Sequence, residues 1–191
     1  MIGLVKCALA KGFGGQAGTV RELILRNVSC KVFGVVGERA AVSTVAFSRA
    51  GGLAAQICAL VRELEVSLDA ALYRFNNAEL AQSLAEAAGR WVQIRLVLDV
   101  GKYHADAATR QMLENYRLPF RLLHGRRGAG SKMHHKFAIL DRQRVITGSY
   151  NWTSESEQEN YEALLIAQDL NAVRQFQEEF EALWDAAAKN E

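Results

Sequence analysis

The chain has 191 residues, half of them hydrophobic, a formal net charge of +2 and three cysteines. This length supports one medium-sized core and leaves little room for a second. The cysteines, Cys7, Cys30 and Cys58, are widely spaced and form no C-x-x-C pair, so they indicate neither a disulfide framework nor a zinc site, and we expect a reduced, cytoplasmic setting. Because no run of 18 apolar residues is present, we also expect no stable membrane insertion.

Charge is distributed unevenly along the chain. Arg117 to Lys136 holds six Lys or Arg and no acid, whereas Glu155 to Glu191 holds ten acids against Arg174 and Lys189. An anionic substrate would be drawn to the basic segment.

The chain is predicted to divide near residue 40. Residues 1–40 are expected to form an N-terminal extension of unknown role, with a helix over 19–27 and a strand over 28–36. The glycines at 12, 14 and 15 favour a loose entry to this segment.

From residue 41, strands alternate with amphipathic helices. One helix follows 49–52, a second begins at Asn76 with Glu79 three residues later in a capping-box pattern, a third covers 107–116, and a closing helix carries an apolar stripe from Val173 to Trp184. The glycine-rich segment 125–131 is predicted to be a flexible loop. The predicted strands are 41–48, 66–75, 91–99, 120–123, 134–140, 144–148 and 161–167.

This alternation predicts an α/β fold in which helices cover both faces of a sheet. The strands 134–140 and 144–148 are joined by a short turn, so the central sheet must be mixed. We therefore expect a layered αβα domain over 41–191.

One stretch carries chemistry, "SKMHHKFAILD" at 131–141. In a strand, His134 and Lys136 share a face while His135 points to the other, so His135 is predicted to belong to the fold. A nucleophilic imidazole beside an ammonium group, with donors from Ser149 and Asn151 on the next turn, suits phosphoryl chemistry.

The sequence from His134 to Asp141 reads H-x-K-x4-D, and after six further residues Gly148 begins the pattern G-S-x-N, without a gap. In this the sequence resembles the phospholipase D superfamily, whose signature is the same. The resemblance extends from "VAFS" at 45–48 through "ALYRFNN", "IRLVLD" and "ENYEALLI" to "FEALW", about three quarters of the chain. It implies a phospholipase D-like fold and makes 41–191 a catalytic domain.

The resemblance also implies roles for individual residues. His134 would be the nucleophile or the general acid, and Lys136 and Asn151 would hold phosphate oxygens. Ser149 would contribute a hydrogen bond, and Glu162 would orient His134. Asp141, at the strand end, is in the family more structural than chemical, and we keep it as a weaker candidate that pairs with neighbouring basic groups.

The family's mechanism uses two such histidines, and this chain has one complete motif. His104 has no lysine two residues on, and His124 is followed by Arg126 but has Ser131 in the aspartate position. We therefore expect a twofold homodimer in which two His134 side chains share one cleft. The resemblance further implies that no metal or other cofactor is required.

Single-motif relatives include small bacterial nucleases and proteins resembling mitochondrial cardiolipin hydrolase. The short chain and the cationic segment favour an endonuclease of low sequence specificity that acts on DNA or RNA, with single strands preferred and binding strongly dependent on salt. The alternatives are a phospholipase D or cardiolipin hydrolase acting on phospholipid, and a non-catalytic nucleic-acid-binding module. Phosphate contacts are expected from Arg121, Arg126, Arg127 and Lys132.

Overall fold

The structure, a computed structural model, describes residues 43–188. The helix and strand predicted within residues 1–40, and the domain boundary predicted there, lie outside the described residues. Within the described residues the strands are β1 Ser43–Phe47, β2 Ser67–Leu72, β3 Gln93–Asp99, β4 Phe120–Leu123, β5 Lys136–Leu140, β6 Arg144–Gly148 and β7 Ala163–Ala167. The α-helices of that region are α1 Leu53–Arg62, α2 Ala78–Gly89, α3 Val100–Ala105, α4 Ala107–Tyr116, α5 Ser154–Gln158 and α6 Leu170–Ala188.

All of these strands form one sheet, in the order β1-β7-β6-β5-β2-β3-β4. The β2–β3 and β3–β4 pairs are parallel, and the other pairs are antiparallel. The predicted mixed sheet is therefore confirmed.

The sheet is covered on both faces, each with its own buried cluster. One cluster joins α1, α2 and α4 to alternate residues of the central strands, including Leu68, Leu96 and Ala138. The other places α6, through Val173 and Phe180, against the opposite face. This is the layered αβα arrangement that the alternation of elements predicts.

Some boundaries differ from the prediction. Asn77, and not Asn76, caps α2, since its side chain accepts a hydrogen bond from the Leu80 backbone N–H. Asn76 instead donates its side-chain amide to Asp106, 3.0 Å away. The short helices α3 and α5 had no periodic signal in the sequence, because six and five residues are too few to show one.

The strand directions bring the candidate residues to one edge of the sheet. Leu72 at the end of β2 pairs with Lys136 at the start of β5, and Gly148 at the end of β6 pairs with Leu164 near the start of β7. Residues just before β5 and just after β6 therefore lie at the same edge. Asp141, which follows β5, lies at the opposite edge.

Candidate active site

His134 and Lys136 come together at this edge as predicted. The strand β5 begins only at Lys136, but the chain before it continues beside β2, because the Tyr73 N–H donates to the His135 carbonyl at 2.8 Å. Lys136 Nζ lies 3.4 and 3.5 Å from the two ring nitrogens of His134 and donates to the His134 carbonyl at 3.0 Å. The imidazole is exposed, so a substrate can reach it.

His135 points away from that pair, toward α6. Its Nε2 lies 3.2 Å from a Glu179 carboxylate oxygen, and its ring meets the Phe137 ring edge to face with centroids 5.4 Å apart. The division of the two histidines between faces agrees with the prediction from the strand pattern.

Tyr73 is the centre of the site, and sequence reasoning did not single it out. Its ring centroid is 4.3 Å from that of His134, and the ring is 8% exposed. The Nζ atoms of Lys136, Lys102 and Lys132 lie 5.1, 5.4 and 6.0 Å from the same ring centre. These distances place three ammonium groups around the Tyr73 ring, within range of cation–π attraction.

The electrostatics of the site favour a neutral imidazole. Loss of hydration lowers the pKa of His134, and the nearby charges of Lys136 and Lys132 lower it further. Loss of hydration also lowers the pKa of Lys136, against a smaller opposing effect of Glu162. A deprotonated histidine is the nucleophilic form, so this environment keeps the nucleophile available at neutral pH.

Ser149 and Glu162 form a second group of polar contacts. The Ser149 hydroxyl donates to one Glu162 carboxylate oxygen, and the Ser156 hydroxyl donates to the other at 3.0 Å. The Glu162 N–H donates to the Ser48 hydroxyl at 2.8 Å. Within the described residues no hydrogen bond joins Glu162 to His134, so the predicted orienting contact is not made inside one subunit. Ser48 and Ser156 had no signal in the motif.

The glycine before Ser149 is required by close packing. A Cβ at Gly148 would lie 2.1 Å from the Ala163 carbonyl oxygen on β7. The absence of a side chain lets β6 and β7 approach here, and this approach brings Ser149 to Glu162.

Asn151 has a free polar atom. Its side-chain oxygen is buried and has no hydrogen-bond partner in the part of the chain that the structure describes. Buried polar groups are normally satisfied, so this oxygen has capacity left to accept a hydrogen bond from a donor group of a ligand.

Asp141 does not join the other candidates. Its carboxylate accepts hydrogen bonds from the backbone N–H groups of Glu65, Val66 and Ser67 at 3.1, 2.8 and 2.9 Å. It lies five positions after Lys136 along the strand, which is roughly 16 Å at the usual strand rise. Asp141 fastens the start of β2 to the end of β5, and the hypothesis that it orients basic groups of the site is wrong.

The predicted phosphate-binding residues fall into two groups. Arg121 stacks on Trp184, 4.0 Å from the ring centre, and donates to the Trp184 carbonyl, so this arginine packs β4 against α6 and is not placed for substrate. Arg126, Arg127 and Lys132 are exposed on the glycine-rich turn beside His134. Arg126 and Lys132 line one cavity of about 520 Å³ with His134.

This geometry defines a class of protein: an αβα domain whose sheet edge carries histidine, lysine, serine and asparagine in the phospholipase D pattern. A family model described as "Cardiolipin synthase, PLD-like domain" matches residues 57–184. The chain belongs to this family and, with it, to the phospholipase D superfamily.

Curated relatives and solved structures agree with that assignment. The chain is 36% identical over 119 residues to mitochondrial cardiolipin hydrolase of Homo sapiens, a match that covers 62% of this chain and 46% of the relative. Mitochondrial cardiolipin hydrolase of Chlamydomonas reinhardtii is 26% identical over 119 residues, covering 62% and 52%. The chain thus spans about half the length of these relatives.

Two solved structures share the fold. Nuc from Salmonella typhimurium, a phospholipase D family member, superposes with a TM-score of 0.69 at 21% identity, covering 76% of this chain and 95% of that one. NucT from Helicobacter pylori gives 0.68 at 21% identity, covering 76% and 97%. The predicted phospholipase D-like fold is confirmed.

The expected cytoplasmic location is wrong. It rested on the spacing of the cysteines, and the matching curated relatives from Homo sapiens, Mus musculus and Chlamydomonas reinhardtii are named mitochondrial. A cysteine count reports the redox state of a compartment and does not identify it. Among the described residues, no helix is long and apolar enough to cross a bilayer.

Proposed function

We propose that the protein is a metal-independent phosphodiesterase that cleaves nucleic acid through a phosphohistidine formed on His134. The observation that carries the proposal is the exposed imidazole with an ammonium group 3.4 Å from its ring, at a sheet edge where three lysines surround Tyr73. A phosphodiester is the anion that this set of charges and this nucleophile would receive together.

The proposed reaction has two displacements at phosphorus. In the first, a ring nitrogen of His134 forms a bond to phosphorus, the bond to the leaving oxygen breaks, and a protonated second histidine gives that oxygen its proton. In the second, water attacks phosphorus as the second histidine takes back a proton, the phosphorus–nitrogen bond breaks, and His134 is restored. Lys136 and the side-chain NH2 group of Asn151 are proposed to donate hydrogen bonds to the non-bridging oxygens throughout.

The second histidine is proposed to be His134 of a twofold-related subunit. Exposed Phe47 and Tyr161 line a cavity with Ser149 and Glu162, which is apolar surface that association would cover. We expect a dimer by sedimentation, and a strict monomer that still cleaves substrate would contradict the shared site.

Nucleic acid is favoured as substrate by the exposed cations beside His134. Arg126, Arg127 and Lys132 offer contacts to phosphate that carry no sequence information, so we expect low sequence specificity and an affinity that falls steeply with salt. Single strands are proposed over duplex, since a cleft shared by two subunits is narrow for a rigid helix.

The second candidate is hydrolysis of a phospholipid. It is favoured by the names of the curated relatives, mitochondrial cardiolipin hydrolases, and by apolar Leu123, Met133 and Leu183 in the cavity that holds His134. An amphiphile with an anionic head group would find both kinds of surface there.

One set of incubations separates these candidates. The protein, the His134→Asn variant and the matched His135→Asn control are incubated with single-stranded DNA, RNA, duplex DNA and cardiolipin vesicles, each with excess chelator. We expect cleavage of single strands in chelator, a loss of at least about a thousandfold in His134→Asn, and little change in the control.

Other results point elsewhere. Turnover of cardiolipin alone would support the phospholipid enzyme, and binding without turnover would support the non-catalytic module. Loss of all activity in chelator, or equal loss in both histidine variants, would contradict the proposed mechanism.

A further inference from the structure

A cavity of about 320 Å³ lies at the carboxyl ends of the parallel strands β2 and β3. Its lining includes the buried side chains of Leu72 and Leu98, together with Tyr73 and Lys102. This end of parallel strands is where open α/β sheets usually bind ligands. Because the Tyr73 ring also contacts His134, the cavity adjoins the candidate active site.

Lys102 is the lysine that lines this cavity, together with Arg74, which pairs with Glu155, and with the carboxylates of Asp99 and Asp106. Residues 43–188 contain three lysines, Lys102, Lys132 and Lys136, and all three place Nζ within 6.0 Å of the Tyr73 ring centre. Among the residues that the structure describes, none of the three forms an ion pair with a carboxylate. Three like charges around one ring repel one another, and bound anions would relieve that repulsion.

The backbone fixes where two of these lysines start. Buried Asp99 accepts a hydrogen bond from the Lys102 N–H through one carboxylate oxygen and from the Met133 N–H through the other, both at 2.9 Å. The glycine-rich turn also packs on this segment, since a Cβ at Gly125 would lie 2.5 Å from the Lys132 nitrogen. Both Asp99 oxygens therefore accept from the main chain, and both Asp106 oxygens accept from Asn76, Ala108 and Thr109, so in the described residues neither carboxylate is paired with a lysine ammonium group.

The lysines differ in what they face. Lys136 lies against the His134 ring and Lys132 lines the cavity on the His134 side, where a scissile phosphate would bind. Lys102 lines the other cavity, beyond Tyr73. One phosphodiester has a single negative charge, so a substrate with one phosphate would leave Lys102 unmatched.

We propose that Lys102 and its cavity bind the phosphate next to the scissile one along a nucleic-acid strand. The inference rests on the proposed function, because it takes His134 as the point of cleavage. The Tyr73 ring separates the two phosphate positions, and the enzyme prefers substrates with two adjacent phosphates over those with one.

The test uses three dinucleotides that share one scissile bond: TpT with one phosphate, and pTpT and TpTp with a second phosphate on either side. We expect KM to be about tenfold lower for one of the two longer substrates than for TpT, the effect of one charge-assisted contact. Lys102→Gln should reduce that KM ratio to about one, whereas Lys102→Arg should keep it. The control Arg62→Gln removes one exposed charge at the opposite edge of the sheet and should leave the ratio as it is.

A binding measurement keeps the two proposals separate. In the His134→Asn background, the same dinucleotides displace fluorescein-labelled dT12, and the ratio of their dissociation constants should show the same dependence on Lys102. If wild-type protein cleaves none of them, the proposed function fails while this measurement still decides the inference.

Three results would overturn the inference. The first is that a second phosphate leaves both KM and the dissociation constant unchanged. The second is that Lys102→Gln and Arg62→Gln alter the ratios equally. The third is a Lys102-dependent preference for cardiolipin over phosphatidylglycerol vesicles with none among the dinucleotides, which would assign the subsite to the second phosphate of a lipid.

Discussion

Two places in the molecule set cations against aromatic rings, with different partners. On the α6 face, the Arg95 guanidinium lies 4.9 Å from the Phe180 ring centre and 5.4 Å from that of Trp184. It also donates hydrogen bonds to both Asp69 and Glu181, at 2.7 to 3.1 Å. Around Tyr73, none of the lysines forms an ion pair with a carboxylate of residues 43–188.

The pKa shifts reflect this difference. The hydrogen bonds that Arg95 donates to Asp69 raise the pKa of Arg95 despite its partial burial, and Arg95 in turn lowers the pKa of Glu181. At the other cluster, loss of hydration lowers the pKa of both His134 and Lys136. The Arg95 network pairs its cation directly with two carboxylates and serves the fold, whereas no lysine of the other cluster forms such a pair in the described residues, and an anion would supply one.

Breaking the network of Arg95, Asp69 and Glu181 should reduce the free energy of unfolding more than any other change proposed for this comparison. Asp69 is 1% exposed and accepts two hydrogen bonds from Arg95 and one from Gln177. We expect Asp69→Asn to reduce the free energy of unfolding by about 3 kcal/mol, because it removes the charge of the buried carboxylate that accepts two of the Arg95 hydrogen bonds. Urea denaturation measures this, and activity per folded molecule should stay near wild type.

The matched control for that variant is an exposed ion pair on α6, the helix that carries Glu181. Glu178→Gln removes the i,i+4 partner of Arg174 on the surface of α6. We expect it to change the free energy of unfolding by less than about 0.5 kcal/mol. Equal losses in the two variants would show that the Arg95 network has no special role in stability.

The Asp141 edge provides a second comparison with the catalytic edge. Asp141→Ala removes three backbone hydrogen bonds and should reduce the free energy of unfolding by about 2 kcal/mol. Asp141→Asn keeps Oδ1, which accepts two of the three, and should lose less. In both variants kcat should stay within about twofold of wild type, because Asp141 lies at the opposite edge of the sheet from His134. The loss of a transition-state contact worth about 1.4 kcal/mol would instead reduce kcat tenfold. A large fall in kcat with the fold intact would return Asp141 to the site.

Much of the fold could be predicted because its elements have strong local patterns. The period-two alternation of β3 and the apolar stripe of α6 both appear in the structure, as does the helix Ala107–Tyr116 at its predicted bounds. The cap of α2 lies one residue later than predicted because the spacing from Asn76 to Glu79 favours Asn76 locally. In the structure the Asn76 side chain instead donates to Asp106, a tertiary contact that no local pattern reports.

The site could be predicted only where its residues share a motif. His134, Lys136, Ser149 and Asn151 have fixed spacing, but spacing along a strand also includes Asp141, which lies at the far edge. Tyr73 and Lys102 join the site through the parallel pairing of β2 with β3, and no local pattern reports that pairing. Arg121 was misassigned because a basic segment does not reveal which of its side chains pack against a helix.

The smallest expected effect is a shift in the titration of His134. Loss of hydration, then Lys136, then Lys132 lower its pKa, so removing the Lys132 charge makes the imidazolium less costly and half-protonation occurs at higher pH. NMR titration of the ring should show a higher pKa for His134 in Lys132→Gln than in wild type, and the acid limb of the kcat/KM profile should move the same way. Added salt should reduce the difference, because it screens exposed charges. Arg62→Gln removes a charge at the opposite edge of the sheet and should leave the titration in place. An unchanged or lower pKa of His134 in Lys132→Gln would mean that this lysine does not act on the histidine. The contrast between the unpaired lysines around Tyr73 and the ion-paired Arg95 would then not extend to Lys132.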